Sequence, residues 1–442
     1  MTTRPIILPR MNSNFDQLAR RLESELGPGT VSADSAVLAK HVVDGGKAAI
    51  VCSPQTAEQV VAALRICSET ESAVTPWGGG TAMRIGNLPN KLDVIVGLSR
   101  LNRIIEHDAA NLTATVEAGV GLPDLQLAVA AQKQFLCFDA PFSVNSTVGG
   151  TIAANLNGPR RSAYGSVRDL VIGVKVALVT GEHIKGGGKV VKNVAGYDMC
   201  KLFVGSLGTL GIITEATLRM SPLPEAARTM SVSGPLSEVL LVADEISHSK
   251  LNPTAVYIQN SKEDGTVQDM NSWQVAIWSE GFEQSVVRHL DEVKIIAERK
   301  KMRSAELRDE SHVQFWGRIR DFPLRPNRIV YRVTVPPALV PEVLKVIFVS
   351  ESGDLEIVSD VLFGTVWIAA EPSKQSAALF SQLITLARER HGHAIMFSAP
   401  ERYKEEIDIW GPPPPTLSIM REVKRQFDPK GLLNPGRFLT GV

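Results

Sequence analysis

Cysteine is scarce in this 442-residue chain: Cys52, Cys67, Cys137 and Cys200 are the whole complement, and no CxxC pair occurs. That spacing excludes a zinc knuckle and an iron–sulfur cluster held by this chain alone, and it reads as reduced thiols. Net charge is missing too, with 47 Lys+Arg against 47 Asp+Glu. Nothing electrostatic therefore points to nucleic acid or to an anionic membrane. No apolar run reaches the roughly 18 residues of a membrane span. Met1–Asn14 has arginines and prolines but no continuous apolar stretch, so no secretory leader is read there. The chain is expected to be cytoplasmic, reaching an inner membrane only through partners. Neither a low-complexity tract nor a fixed-period repeat occurs.

What is present is ordinary globular composition, 44% apolar and 21% charged, over a length that favours two domains. Phe15, Leu18, Leu22 and Leu26 share one helical face. Ala48–Cys52 reads as a strand. A helix from Thr56 with apolar Val60, Val61, Leu64 and Ile66 follows, and then a short strand, Ala73–Pro76. Strands are also expected at Asp93–Leu98, Leu112–Gly119, Asp169–Val179 and Ile212–Arg219, with a helix at Pro123–Gln132. Ser221-Pro222-Leu223-Pro224 breaks the pattern and marks a boundary. Beyond it, strands at 255–259, 274–278, 329–335 and 366–370 alternate with helices at 236–247, 285–298, 339–349 and 375–389. The reading is α+β: domains 1–222 and 223–410, the second a sheet covered by helices on one side, and a tail 411–442 beginning in a proline run.

Three glycine-rich segments carry the chemistry. In Pro76-Trp77-Gly78-Gly79-Gly80-Thr81-Ala82, three glycines strip the loop of side chains, so its N–H groups can converge on an anion such as a pyrophosphate. The spacing fits neither a Walker A loop nor G-x-G-x-x-G, and a tight turn stays open. In 146–159, which includes Gly149-Gly150-Thr151-Ile152-Ala153-Ala154, small residues let a flat ligand lie close to the backbone, and Thr147 and Thr151 can donate hydrogen bonds; a loop between core elements is the alternative. In 205–214, glycines recur every three residues and run into a strand. An extended ligand with a phosphate end and a planar end would use all three.

These segments, with Lys189–Asp198, Lys201–Thr214 and the tail Phe427–Gly436, resemble the FAD-binding domain of the vanillyl-alcohol oxidase / p-cresol methylhydroxylase superfamily, and within it the glycolate oxidase branch. The resemblance implies a two-subdomain FAD-binding fold of the p-cresol methylhydroxylase type plus an α+β cap. It implies that FAD's pyrophosphate sits on Gly78, Gly79, Gly80 and Thr81, flanked by Trp77 and Ala82. Pro141, Thr147, Gly150, Thr151, Ala154, Gly208, Ile212 and Asn434 are implied to line the rest of the cofactor. Many relatives attach FAD through a histidine. None stands in or beside the 78–80 loop, so non-covalent FAD is expected.

One departure matters. Catalytic D-2-hydroxy-acid dehydrogenases of this family carry a late His-, Gly-, Asp- and Asn-rich segment that holds a metal. Here the place reads His391-Gly392-His393-Ala394 with no carboxylate, so no metal is expected. This resembles the E-type FAD-binding subunits of glycolate oxidase complexes. Those subunits work beside a second FAD-binding subunit and an iron–sulfur subunit on a small 2-hydroxy acid. A stand-alone dehydrogenase and a redox-idle structural subunit are the alternatives. Oxidation needs a base and a cation for the carboxylate. His393 is the candidate base, and Arg320 and Arg332, with Arg318, are candidate clamps against ordinary surface arginines. Lys192 and Tyr197 either face the flavin or order its loop.

Overall fold

The computed structural model describes residues 13–188, 198–260, 273–350 and 355–441. The segment around Lys192 and Tyr197 and most of the N-terminal stretch lie outside the described residues. Three main sheets organise the chain. The first has strands Val31–Ser32, Ile50–Cys52, Val94–Gly97 and Val74–Trp77 in that spatial order, the last three parallel. Parallel pairing needs crossovers, and the helix Ala57–Glu69 supplies one, capped by Thr56, whose side chain accepts from Gln59 N–H. The second sheet is antiparallel: Ile104–Asp108, Thr113–Glu117, Ile212–Arg219, Val171–Ala177 and His183–Gly187, side by side. Both sheets share one apolar core.

The chain leaves this unit after the strand Ser221–Pro222, which pairs with Gln134–Phe135. It then builds eight antiparallel strands in the order 303–307, 226–234, 273–281, 255–259, 356–360, 365–370, 329–334 and 393–398. Helices Leu236–Ser247, Glu283–Arg299, Val340–Ser350 and Ser376–Arg388 lie along this sheet, the buried side chains of the first, second and fourth, with Val343, Leu344 and Ile347 of the third, closing a core on one face. The expectation of helices on a single side fails for a fifth helix. Asp309–Asp321 packs on the opposite face, where Phe315, Trp316 and Ile319 meet Tyr257, Trp278 and Val330. Its stripe His312, Phe315, Trp316 and Ile319 follows helical spacing; the sequence reading weighed only the arginines of this helix. The rest of that face turns toward the first unit, where Trp367, Ile395 and Phe397 join the first core.

Two smaller corrections concern the cofactor region. The strand expected at 169–179 begins only at Val171, because Ser166 and Asp169 form a capping box that winds Val167–Leu170 into a helical turn. The small-residue segment after Ser146 is a helix, Val148–Ala154, capped by Thr147, with Asn155 left-handed at its end.

The tail returns to the first unit. Leu433 bridges Val74, and the Asn434 N–H donates to the Val74 carbonyl at 2.8 Å. Lys424 fixes the turn that follows it. Its ammonium donates to the carbonyls of Thr209 (2.7 Å) and Leu433 (3.0 Å) and to the Asp428 carboxylate (2.6 Å).

Candidate functional site

The first glycine loop leaves the end of strand Val74–Trp77 and runs beneath the N-terminus of helix Val148–Ala154. A Cβ on Gly79 would fall 1.7 Å from the Asn145 carbonyl oxygen, so only glycine lets these backbones approach. Thr81 Oγ1 meets Ser146 Oγ at 3.1 Å, and Thr147 Oγ1 accepts from Gly150 N–H at 3.3 Å. Asn434 ties the first and third segments together: its Oδ1 accepts from Thr75 Oγ1 at 3.3 Å and its Nδ2 donates to the Leu207 carbonyl at 2.6 Å.

These contacts open a cleft whose wall includes Trp77, Gly78, Ala82, Gly150, Ala154, Gly208, Ile212 and Asn434. Eight residues expected at the cofactor thus share one wall. Gly79, Gly80, Thr81, Thr147 and Thr151 belong to the loop and helix that form its edge. Trp77 also packs on His41, with ring centroids 5.0 Å apart.

The residues fit a flavin dinucleotide on two observations. The wall is glycine and alanine at closest approach, leaving room for a flat group. In addition, Gly78 and Gly150 of the first two glycine segments face the cleft, where backbone N–H groups can meet a phosphate. A Gly79→Ala variant is expected to hold FAD about 10- to 100-fold more weakly, from the cost of forcing atoms into a filled space; titration of the flavin-free chain with FAD checks it.

A second cavity, of about 320 Å³, lies between the first unit and the open face of the large sheet. Pro141, Asn157, Gly158 and Arg161 line it from one side, and Tyr257, Arg332, Asp360, Trp367, His393 and Phe397 from the other. Arg332 and His393 are brought together here, whereas Arg320 is not part of this wall. Asp321 holds Arg320 in two bonds, 2.8 and 2.9 Å, and also accepts from the Phe142 N–H. Arg320 therefore serves the contact between cap and cofactor unit. His391 sits left-handed, at φ 58°, in the turn before strand His393–Ser398, so the two histidines do not share a strand face.

Electrostatics set this cavity apart. Arg332 has a guanidinium Nε that is buried and unbonded, and so does Arg161. No carboxylate pairs with either among the described residues. Arg332 lies over the rings of Phe397 (5.4 Å) and Trp367 (5.7 Å), and Arg161 over Phe363 (3.9 Å). Burial, with the like charge of Arg161, brings Arg332 down to about 10. Burial and then Arg332 hold His393 below the usual histidine range. Asp360 is pushed up to about 6 by burial, against the pull of Arg161.

Sequence reasoning missed Arg161, Tyr257 and Asp360. Arg161 had a signal, since it follows the small-residue segment 146–159, which ends in Asn157-Gly158-Pro159. Asp360 had none: its partner Tyr257 is 103 residues away.

The chain matches known families at both ends. Residues 48–187 match an FAD binding domain, and 412–438 the C-terminal domain of FAD linked oxidases. The glycolate oxidase subunit GlcD of Bacillus subtilis is 29% identical over 435 residues, covering 88% of each chain. The glycolate oxidase subunit GlcE of Escherichia coli is 30% identical over 345 residues, 76% of this chain and 84% of that one. Among solved structures, p-cresol methylhydroxylase with substrate bound superposes with a TM-score of 0.73 at 18% identity, covering 97% of each chain, which shows the fold. On the glycine-walled cleft, the two matched domains and these relatives, the chain belongs to the FAD-linked oxidase family of the glycolate oxidase subunits, built on the p-cresol methylhydroxylase fold.

Proposed function

We propose that this chain oxidises small 2-hydroxy acids, glycolate first among them, to the corresponding 2-keto acids. It does so as the FAD-binding subunit of a complex with a second FAD-binding subunit and an iron–sulfur subunit. The observation that carries the reading is Arg332: a half-buried guanidinium, its Nε buried and unbonded, with no counter-ion among the described residues, facing a cavity between cofactor unit and cap. A cation so placed is costly unless an anion completes it, and a planar carboxylate matches its fork. FAD, when bound, supplies the hydride acceptor. The chain's own part is to seat the carboxylate on Arg332, to exclude water with Trp367 and Phe397, and to take the hydroxyl proton on a group in the cavity. Asp360 in the wall and His393 at the mouth are the two groups able to do so. The names of the bacterial relatives support glycolate and the complex.

The test is the visible spectrum of the purified chain with glycolate or lactate in the absence of oxygen. Flavin bands that bleach support the reading. Bleaching only after the other two subunits are added supports the complex. Bands that persist in the full complex overturn the reading. A second expectation concerns attachment: precipitation in acid releases the flavin into the supernatant, whereas flavin retained on the pellet would show a covalent bond.

A further inference from the structure

The register of the large sheet lines up one row of side chains. Tyr257 pairs with Asp360, Asp360 with Thr365, Thr365 with Thr334, and Thr334 with His393. Five neighbouring strands thus present Tyr257, Asp360, Thr365, Thr334 and His393 to one face, and all five line the cavity. Arg332 and Trp367, themselves paired, lie two residues further along the same face. With strands ~4.8 Å apart, Asp360 and His393, three strands apart in the row, stand ~14 Å from each other. One small substrate seated on Arg332 cannot present its hydroxyl to both.

The two groups differ in how they are held. Asp360 is 1% exposed. Its Oδ1 accepts from the N–H groups of Leu362 and Phe363, both at 3.2 Å, and its Oδ2 has only the Tyr257 hydroxyl, at 3.3 Å. Oδ1 is thereby fixed by the turn, and Oδ2 has one hydrogen-bond partner and an acceptor site to spare. His393 is exposed, and its side chain makes no hydrogen bond among the described residues. A catalytic proton acceptor gains from being held in place.

Resting on the reading that 2-hydroxy acids are oxidised here, we propose that Asp360, and not His393, is the catalytic base, with Tyr257 as its positioning residue. In the step, the substrate O–H bond breaks and its proton moves to Asp360 Oδ2. FAD, when bound, would accept the hydride released as the C2–H bond breaks with its electron pair and the carbon–oxygen double bond forms. The charged and titratable groups facing Asp360 are Tyr257 on the neighbouring strand, Arg161 from the cofactor unit, Arg332 and His393 across the row, and Asp139 behind Tyr257. The raised Asp360 value, about 6, keeps the group ionised at neutral pH and basic enough to accept the proton.

The experiment compares Asp360→Asn and His393→Gln in the flavin-loaded protein. Asparagine can keep the turn bonds through its oxygen and meet Tyr257 with its amide. Asp360→Asn is expected to lower the anaerobic flavin-reduction rate ~10²- to 10⁴-fold, with KM and melting temperature little changed, and to remove the acid limb of the rate profile. His393→Gln is expected to cost less than about tenfold. A second readout is independent of turnover: binding of pyruvate, which cannot be oxidised at C2. In the wild type, pyruvate binds more tightly as pH falls from about 7.5 to about 5, because protonation of Asp360 removes a repelling charge. That dependence is lost in Asp360→Asn and kept in His393→Gln. The base assignment alone is overturned if Asp360→Asn reduces its flavin at the wild-type rate, or if His393→Gln shows the larger loss. A wild-type chain that no 2-hydroxy acid reduces, even within the full complex, overturns the parent reading and the assignment with it.

Discussion

Replacing Arg332 by methionine is expected to lower kcat/KM for glycolate or lactate by ~30- to ~4,000-fold and, at the same time, to raise the melting temperature. The first effect follows from truncating one partner of a buried charge pair, which costs about 2–5 kcal/mol, at about 1.4 kcal/mol for each tenfold. Most of the loss falls on KM, because the carboxylate is held in the ground state and the transition state alike. The second effect has the opposite sign because the free protein carries the cost. Arg332 Nε is buried without a partner, and Arg161 repels it. A side chain of similar length with no charge removes both penalties. Lysine at the same place keeps the charge and loses the two-pronged geometry, so Arg332→Lys should fall between wild type and methionine in activity. Steady-state kinetics and thermal unfolding of the three proteins decide the matter. A methionine variant that keeps its activity would remove Arg332 from the substrate site, and one that melts well below the wild type would show that the guanidinium holds the fold together.

The pairing of lost activity with gained stability also explains which parts of the site were legible in the sequence. The cofactor cleft was legible because glycine and alanine announce a steric requirement locally. Gly79 must be glycine on account of Asn145, and three small-residue segments in one half of the chain point to one extended ligand. The helix Asp309–Asp321 was legible in principle from His312, Phe315, Trp316 and Ile319. The substrate side was legible only in part. Arg332 and His393 stood out as chemistry-bearing residues, but so did Arg320, which the fold assigns to Asp321. What selects among them is the register of a sheet whose strand order, 255–259 beside 356–360 beside 365–370 beside 329–334 beside 393–398, joins residues far apart in the chain. Side-chain alternation places a residue on a face; it does not say which strand lies next to it. Asp360 ends a five-residue strand, Glu356–Asp360, which follows residues outside the described ones and was not expected from the sequence. Tyr257 could not have been linked to it without the fold.

Cofactor cleft and cap are also coupled through a buried ionic cluster that no local pattern suggested. Asp44 lies at the tip of the hairpin formed by Val42–Val43 and Gly46–Lys47. Its carboxylate accepts from Lys404 of the cap (2.9 and 3.0 Å) and from Arg437 of the tail. Lys404 also donates to the carbonyls of Arg84 (2.6 Å) and Gly86 (3.1 Å), and Arg437 to those of Met83 (2.7 Å), Asn87 (2.8 Å) and Ile85. Met83, Ile85 and Arg437 line the cofactor cleft. Two cations from distant segments therefore hold one wall of the cleft, with a single carboxylate between them.

Asp44→Asn is expected to destabilise the protein by about 3–5 kcal/mol, the usual result of leaving buried charge without its partner, and to lower the retained FAD. Asparagine suits the left-handed backbone at this position, φ 44°, so the change tests charge and not strain. The deficit should also depend on pH. Burial, resisted by Asp44, brings Lys404 from an ordinary 10.5 to about 8 in the fold. Without Asp44 the folded value falls further, while the unfolded value stays the same. Between the two folded values the variant has shed the Lys404 proton and the wild type has not. The wild type's advantage therefore shrinks as pH rises toward 8 and stays constant above it. Denaturant unfolding of both proteins at mildly acidic, neutral and alkaline pH measures this directly. A deficit that does not change with pH would mean that Lys404 keeps its proton throughout and that Asp44 acts on Arg437 alone. Absence of any deficit would mean that the carbonyls of the 83–87 loop suffice to hold both cations.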